Sequence, residues 1–238
     1  MNPAAPRPLL NIVDWKRQCA AVIPCYNEAG RIGSVIREVR RHLPHVTVVD
    51  DGSTDETSEE SAAAGAVVLR LSSNGGKGCA LQAGWRHARR LGFSWALSLD
   101  GDGQHAGDDI PKFFSCAEQT AAHLIIGDRM GRRERMPRVR RWANFWMSRW
   151  LSNLTGAALP DSQCGFRLTH LNTVLQMPLA ARHFVIESET LVAFVAAGER
   201  VEFVPIQVIY GPGGSKICPF MDTWRWLRWW TTQVAAVP

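Results

Sequence analysis

Lysine is scarce in this chain, with four residues against 23 arginines, and no stretch reaches the ~18 uninterrupted apolar residues of a membrane span. The second absence limits any bilayer contact to lying on its surface. The start, MNPAAPRPLLNIVDW, lacks a basic segment followed by an apolar stretch of signal-peptide length. Six cysteines (19, 25, 79, 116, 164 and 218) fall in no CxxC or Cys/His zinc spacing, which favours reduced, buried thiols in a cytoplasmic protein over a disulfide or metal framework. Internal repeats and low-complexity linkers are also missing.

What is present suits one large α/β domain, alone or with an appendage: 238 residues, 46% hydrophobic and 21% charged, with a formal charge of +5. The positive balance favours an anionic partner, whether nucleic acid, nucleotide or an acidic membrane face. Short apolar runs alternate with helical patterns: CAAVI (19–23) then RIGSVIREVRRHL, HVTVVD (45–50) then DETSEESAAAG, AVVLRL (66–71) then KGCALQAGWRHARRLG, and SWALSLD (94–100). Continuous apolar strands separated by amphipathic helices predict a doubly wound, Rossmann-like, mostly parallel sheet with helices on both faces. HLIIG (123–127) adds a strand, followed by helices near 138–154 and 186–198 and a strand near 201–209. In such sheets ligands sit beyond the carboxyl ends of the strands. Here those ends carry PCYNE, DDGSTDET, SSNGGKG, DGDGQH and GDR.

LDGDGQH (99–105) crowds Asp100 and Asp102 one residue apart. An EF-hand loop counted from Asp100 fails, because His105 and Pro111 stand where glycine and glutamate are required. Gly101, Gly103 and Ala106 fit a GxGxxA fingerprint, yet Asp102 would then oppose a pyrophosphate. A divalent cation between them removes that repulsion: Asp100 and Asp102, with Gln104 as a neutral oxygen, suit Mg²⁺ or Mn²⁺ with open positions. A polar strand-end turn is the alternative.

In DDGSTDET, Ser53 or Thr54 is expected to cap the following helix, with Glu56 or Thr57 in its first turn. Asp50 and Asp51 would accept hydrogen bonds from ribose hydroxyls or a base N–H. GGKG is no Walker loop, so Lys77 offers at most a minor phosphate contact. Residues 129–141 carry seven arginines against Glu134 alone, a solvated face or an anion site, with Arg129 nearest the strand end. Trp142, Trp146 and Trp150 recur at helical spacing, and Trp224, Trp226, Trp229 and Trp230 crowd the C-terminus beside Arg225 and Arg228. Tryptophan interleaved with arginine is what an interfacial helix shows; burial against the sheet is the alternative.

These segments together resemble glycosyltransferase family 2, in particular its polyprenyl-phosphate (dolichyl-phosphate mannose or glucose) synthases. The match runs through VIPCYNE (22–28), VVDDGSTDET (48–57), NGGKG (74–78), LDGDGQH (99–105), GDR (127–129), DSQCGFRL (161–168), the E-T-L helix at Glu189 and GGSK (213–216). The resemblance implies a GT-A fold over residues 19–216, after an N-terminal extension (1–18) and before a Trp/Arg-rich amphipathic segment (217–238). It implies inverting, Mg²⁺- or Mn²⁺-dependent transfer of a hexose from a UDP- or GDP-linked sugar to a polyprenyl phosphate, by a cytoplasmic protein peripherally bound to the membrane face, with no nucleic-acid partner.

Carried over by motif, Pro24, Tyr26, Glu28, Asp50, Asp51, Lys77, Asp100, Gly101, Asp102 and Arg129 contact the nucleotide sugar, and Asp100, Asp102 and Gln104 hold the metal. Asp102, Arg129 and Lys216 serve catalysis; Arg138, Arg141, Arg167, Glu189 and Lys216 meet the acceptor. Gly101 stands where many of these synthases have alanine, and QVIYGPGGSK lacks the basic residue many mannose synthases carry. DSQCGFRL looks closer to the glucose synthase pattern. A phosphate acceptor is already ionised, so no strong general base is required, and His105 reads as a neighbour supporting the metal site. The same fold with a polysaccharide, protein or soluble glycan acceptor is one alternative; a nucleotide- or nucleic-acid-binding module is another. A dehydrogenase fits poorly, because PCYNEAG replaces the expected glycine fingerprint after the first strand.

Overall fold

A computed structural model describes residues 13–131, 138–209 and 219–235, apart from the side chains of 138, 140, 219–222 and 233–235. The strands are β1 (Cys19–Cys25), β2 (Val46–Asp50), β3 (Val67–Arg70), β4 (Trp95–Ser98), β5 (Leu124–Asp128), β6 (Arg167–His170) and β7 (Val201–Pro205). They form one sheet in the order β3-β2-β1-β4-β6-β5-β7. Pairing is parallel except at β6, which runs antiparallel between β4 and β5. This is the expected mostly parallel sheet, with a reversed strand inserted that the sequence pattern does not announce.

The helices are α1 (Trp15–Gln18), α2 (Ile32–Val39), α3 (Thr57–Ala63), α4 (Lys77–Arg90), α5 (Ile110–Thr120), α6 (Arg138–Thr155), α7 (Leu171–Val174), α8 (Val185–Ala196) and α9 (Pro219–Ala235). α2 buries Ile32, Val35, Ile36 and Val39, the i, i+3, i+4, i+7 stripe that drives a surface helix onto a sheet. α4 packs closer still, because a Cβ on Gly84 would stand 2.3 Å from Val22 Cγ1 and 3.0 Å from Val49 Cγ2. Trp15 stacks on Phe114 with centroids 4.6 Å apart and donates from Nε1 to Glu118, so α1 is bound to the domain.

The expected cap of α3 is not formed by Ser53 or Thr54. Ser53 Oγ accepts the Asn27 N–H at 2.9 Å, and Asn27 Oδ1 accepts the Thr54 N–H at 2.8 Å. Asp55 Oδ1 receives the Thr57 N–H instead, at 3.1 Å. The two hydroxyl residues thus tie the loop after β2 to the loop after β1, which serves the rim of the sheet rather than the helix end.

The C-terminal helix is more than an outlying segment. Trp226 is 3% exposed and donates from Nε1 to Ser188 Oγ of α8 at 2.9 Å, while its ring stacks on Trp230 and Trp150. Burial, not solvent or lipid, accounts for this tryptophan. The five cysteines among the described residues are free thiols. No described helix is long and apolar enough to cross a membrane.

Candidate active site

The parallel strands end at one rim, and the reversal of β6 brings its leading loop to the same place, since its first residue, Arg167, pairs with Ser98 at the end of β4 and with Ile126 within β5. The loops enclose a cleft of about 250 Å³. It is lined by Pro24, Tyr26 and Glu28 after β1, Asp100, Gly101, Asp102 and Gln104 after β4, Arg129 after β5, and Gln163, His183 and Phe184 from the later loops.

At its base lies a charge network. Lys77, at the start of α4, pairs with Asp100 Oδ1 and, at 2.6 Å, with Glu187 Oε1 of α8, and its ammonium lies 5.4 Å from the Phe184 ring centroid. Burial would favour the neutral amine, but the two carboxylates outweigh it and hold Lys77 above its ordinary range. His105 Nε2 stands 3.4 Å from Asp100 Oδ2. Burial also opposes the Asp100 carboxylate, yet Lys77 and His105 hold it far below the usual carboxylate range. Its neighbour behaves oppositely: burial, then the charge of Asp100, pushes Asp102 up, although Gln104 donates a backbone N–H to Asp102 Oδ1 at 3.0 Å. Gly165 packs over this network, where a Cβ would meet Lys77 Nζ at 2.6 Å and Asp100 Oδ2 at 2.8 Å.

Arg129 is held by a bidentate pair, Nε to Asp161 Oδ2 at 2.7 Å and Nη2 to Asp161 Oδ1 at 2.8 Å. Asp161 is buried, which alone would raise it, but Arg129 keeps it low. Asp51 accepts the N–H groups of Gly75 and Gly76 at 2.8 and 2.7 Å, fixing the loop that launches Lys77; burial nonetheless pushes its carboxyl up.

The remaining sequence-derived site residues divide. Asp50 is fully buried and its carboxylate is taken up by Ser53 N–H, Ser58 Oγ and Arg70, so it does not reach the cleft. Arg167 is buried with its guanidinium donating to the carbonyls of Cys164, Glu187 and Ser162. Glu189 accepts the Ala180 and Ala181 N–H groups, clamping the loop before α8. Arg141 is half-buried on α6, outside the cleft lining. The Arg138 side chain and Lys216 lie outside the described residues. Sequence reasoning passed over Glu187, Gln163, His183 and Phe184. Glu187 had a signal: it falls at helical spacing with Thr190, Leu191 and Phe194 on the buried face of α8, the one charged residue of that stripe.

Among the described residues no three His, Cys, Asp or Glu side chains converge as a metal cage. The donor set nevertheless fits a hard divalent ion: two carboxylates one residue apart, Asp102 raised by burial and then by the charge of Asp100, beside a cleft with room for oxygens from a substrate.

The sheet order and its covering helices are those of the GT-A fold. More particularly, the chain belongs to the family described as glycosyl transferase family 2, whose model matches residues 20–176. Glycosyltransferase AglJ from Haloferax volcanii is 33% identical over 195 residues, covering 81% of this chain, which spans 63% of that protein. The UDP-N-acetylglucosamine–dolichyl-phosphate N-acetylglucosaminyltransferase of Methanococcus voltae is 29% identical over 212 residues, 79% of this chain and 84% of the relative. Among solved structures, glucosyl-3-phosphoglycerate synthase from Mycobacterium tuberculosis, in complex with Mn²⁺, UDP and phosphoglyceric acid, superposes with a TM-score of 0.71 at 19% identity, covering 98% of this chain and 85% of the other. At that identity the likeness is one of fold.

Proposed function

We propose that this glycosyltransferase moves a hexose, with inversion, from a nucleoside diphosphate sugar to a polyprenyl phosphate at a membrane surface. The observation that carries the reading is the pair Asp100 and Asp102 lining one cleft with Arg129, and with Lys77 paired to Asp100. The activity for which the Methanococcus voltae relative is named, transfer from a UDP-sugar to dolichyl phosphate, supports the acceptor class.

Pro24, Tyr26 and Glu28 would wall the nucleotide. Asp100, Asp102 and Gln104 would hold Mg²⁺ or Mn²⁺, which when bound supplies Lewis-acid neutralisation of the leaving diphosphate. Arg129, made rigid by Asp161, would face an anion without reorganising, and Lys216 and Arg138 remain candidates for the acceptor phosphate. A phosphate oxygen already ionised attacks the sugar without a general base. What the protein must then supply is alignment of two anions that repel each other. Asp50, Arg167 and Glu189 would act by holding loops in place rather than by touching substrate.

The test is thermal stabilisation by UDP or GDP with and without Mn²⁺, on the wild type and on Asp102→Ala, followed by transfer from labelled sugar nucleotides. The expected result is a manganese-dependent shift that the variant loses, and labelled product that partitions into organic solvent. Unchanged turnover in Asp102→Ala would remove the metal role; water-soluble product would favour a glycan or small-molecule acceptor.

A further inference from the structure

α6 turns large apolar rings outward as well as apolar groups inward, which a helix bathed in water does not do. Its inner side mixes polar and apolar groups: Asn144 and Ser148 are 5% and 3% exposed, beside Leu151 at 0% and Met147 packed against the core. Asn144 Nδ2 donates to Asp161 Oδ1 at 3.0 Å, and Ser148 Oγ donates to Ser162 Oγ at 3.0 Å while accepting the Ser162 N–H. Its outer side is aromatic: Trp142, Phe145 and Trp146 are 66%, 48% and 40% exposed. These rings touch only edge to face, with Trp146 5.9 Å from Trp142 and 5.8 Å from Phe145. A water-facing helix turns its apolar stripe inward, and a contiguous exposed apolar patch marks an interaction surface.

We propose that the outer face of α6 is a membrane seat, lying in the headgroup layer of an anionic bilayer. The charge selects this occupant. α6 carries four arginines and no acidic residue, and of these Arg149 is exposed beside Trp146 and Trp150. In a two-fold dimer the patch would meet itself, setting like charges together with no acid on either helix to answer them. An anionic lipid surface answers the exposed Arg149, and indole rings favour the headgroup level. α9 continues the theme with Arg228 exposed and Trp224 66% exposed. Because the inner side of α6 holds Asp161, and Asp161 holds Arg129, a seated helix fixes the wall of the cleft next to lipid. That last link rests on the proposed reaction; the seat itself rests on the packing of the helix.

The experiment is co-sedimentation of the whole chain with vesicles of phosphatidylglycerol and phosphatidylcholine, compared with phosphatidylcholine alone. The wild type binds the anionic vesicles, and added salt weakens that binding. The variant Trp142→Gln, Phe145→Gln, Trp146→Gln melts within a few degrees of wild type, as replacement of exposed side chains should, and its partition falls on the order of a hundredfold. Trp142→Gln alone, the mildest change, gives a several-fold drop, so the prediction stays testable if the triple variant folds poorly. No binding by the wild type, or undiminished binding by the variants, overturns the proposal. So does a lipid-free dimer that the triple variant dissolves, which would assign the face to self-association. Transfer to a short, water-soluble prenyl phosphate separates the two readings: the triple variant retains it. Its absence in wild type that still binds vesicles would sink the reaction and spare the seat.

Discussion

Replacing Lys77 by methionine isolates the charge network beneath the cleft. Methionine keeps the length of the side chain and a soft contact with Phe184, but it leaves two carboxylates without their shared cation. The cost is unequal between them. The Asp100 side chain is 32% exposed and keeps His105, so water and the imidazole soften its loss. The Glu187 side chain is 4% exposed, and apart from Lys77 neither of its oxygens has a partner among the described residues. Removing one partner of a buried pair costs about 3–5 kcal/mol, because the survivor cannot be resolvated. Against a total stability of about 5–15 kcal/mol that is a large fraction. For a chain of this size it lowers the melting temperature by roughly 6–20 °C. Urea denaturation of Lys77→Met, Glu187→Gln and the double variant forms the assay. If the reasoning holds, Glu187→Gln in the Lys77→Met background recovers about 2 kcal/mol or more, since the orphaned charge is then gone. A Lys77→Met loss below about 1 kcal/mol, or a double variant no more stable than Lys77→Met, would refute the claim that these groups are coupled.

Arg167→Met should act on folding rather than on acceptor affinity. It strands the carbonyls of Cys164, Glu187 and Ser162 in the interior, at about 1–3 kcal/mol each for groups left unpaired, and a variant that keeps its melting temperature but loses acceptor binding would contradict that placement. Burial, aided by the stacked His123 ring 4.6 Å away, holds His170 below its ordinary value of 6.5. The unfolded chain therefore binds the proton more readily, and this residue's contribution to stability is full above about pH 6.5 and declines as pH falls below it. Denaturation midpoints between pH 8 and 5 should fall less steeply in His170→Gln than in wild type; identical slopes would remove the residue from the balance.

The sequence pattern carried the fold where burial is two-sided. β1, β2, β4 and β5 are continuous apolar runs because each is covered above and below, and such runs are visible without any partner. β6 was invisible for the opposite reason: RLTH is four residues long, comes after a polar, glycine-containing turn, and owes its strand character to β4 and β5 on either side. The acid-rich strand ends likewise pointed to Asp100, Asp102 and Arg129, which the cleft gathers. Asp50 could not be told from Asp51 by adjacency, since their roles differ only in which loop folds over them. In α8 the sequence reading took Glu189, while the side chain facing Lys77 is Glu187; two positions along a helix turn a side chain by roughly 200°, and only packing says which face is inside.

The reversed β6 has a consequence for how the enzyme can vary. Each parallel neighbour offers the cleft the loop at its C-terminal end, whereas β6 offers the loop at its N-terminal end, so the segment 161–166 closes the cleft from the side of α6 and α8. The walls therefore come from two separate stretches of chain, one before residue 107 and one after residue 127. A change of partner molecule on one side need not redraw the other.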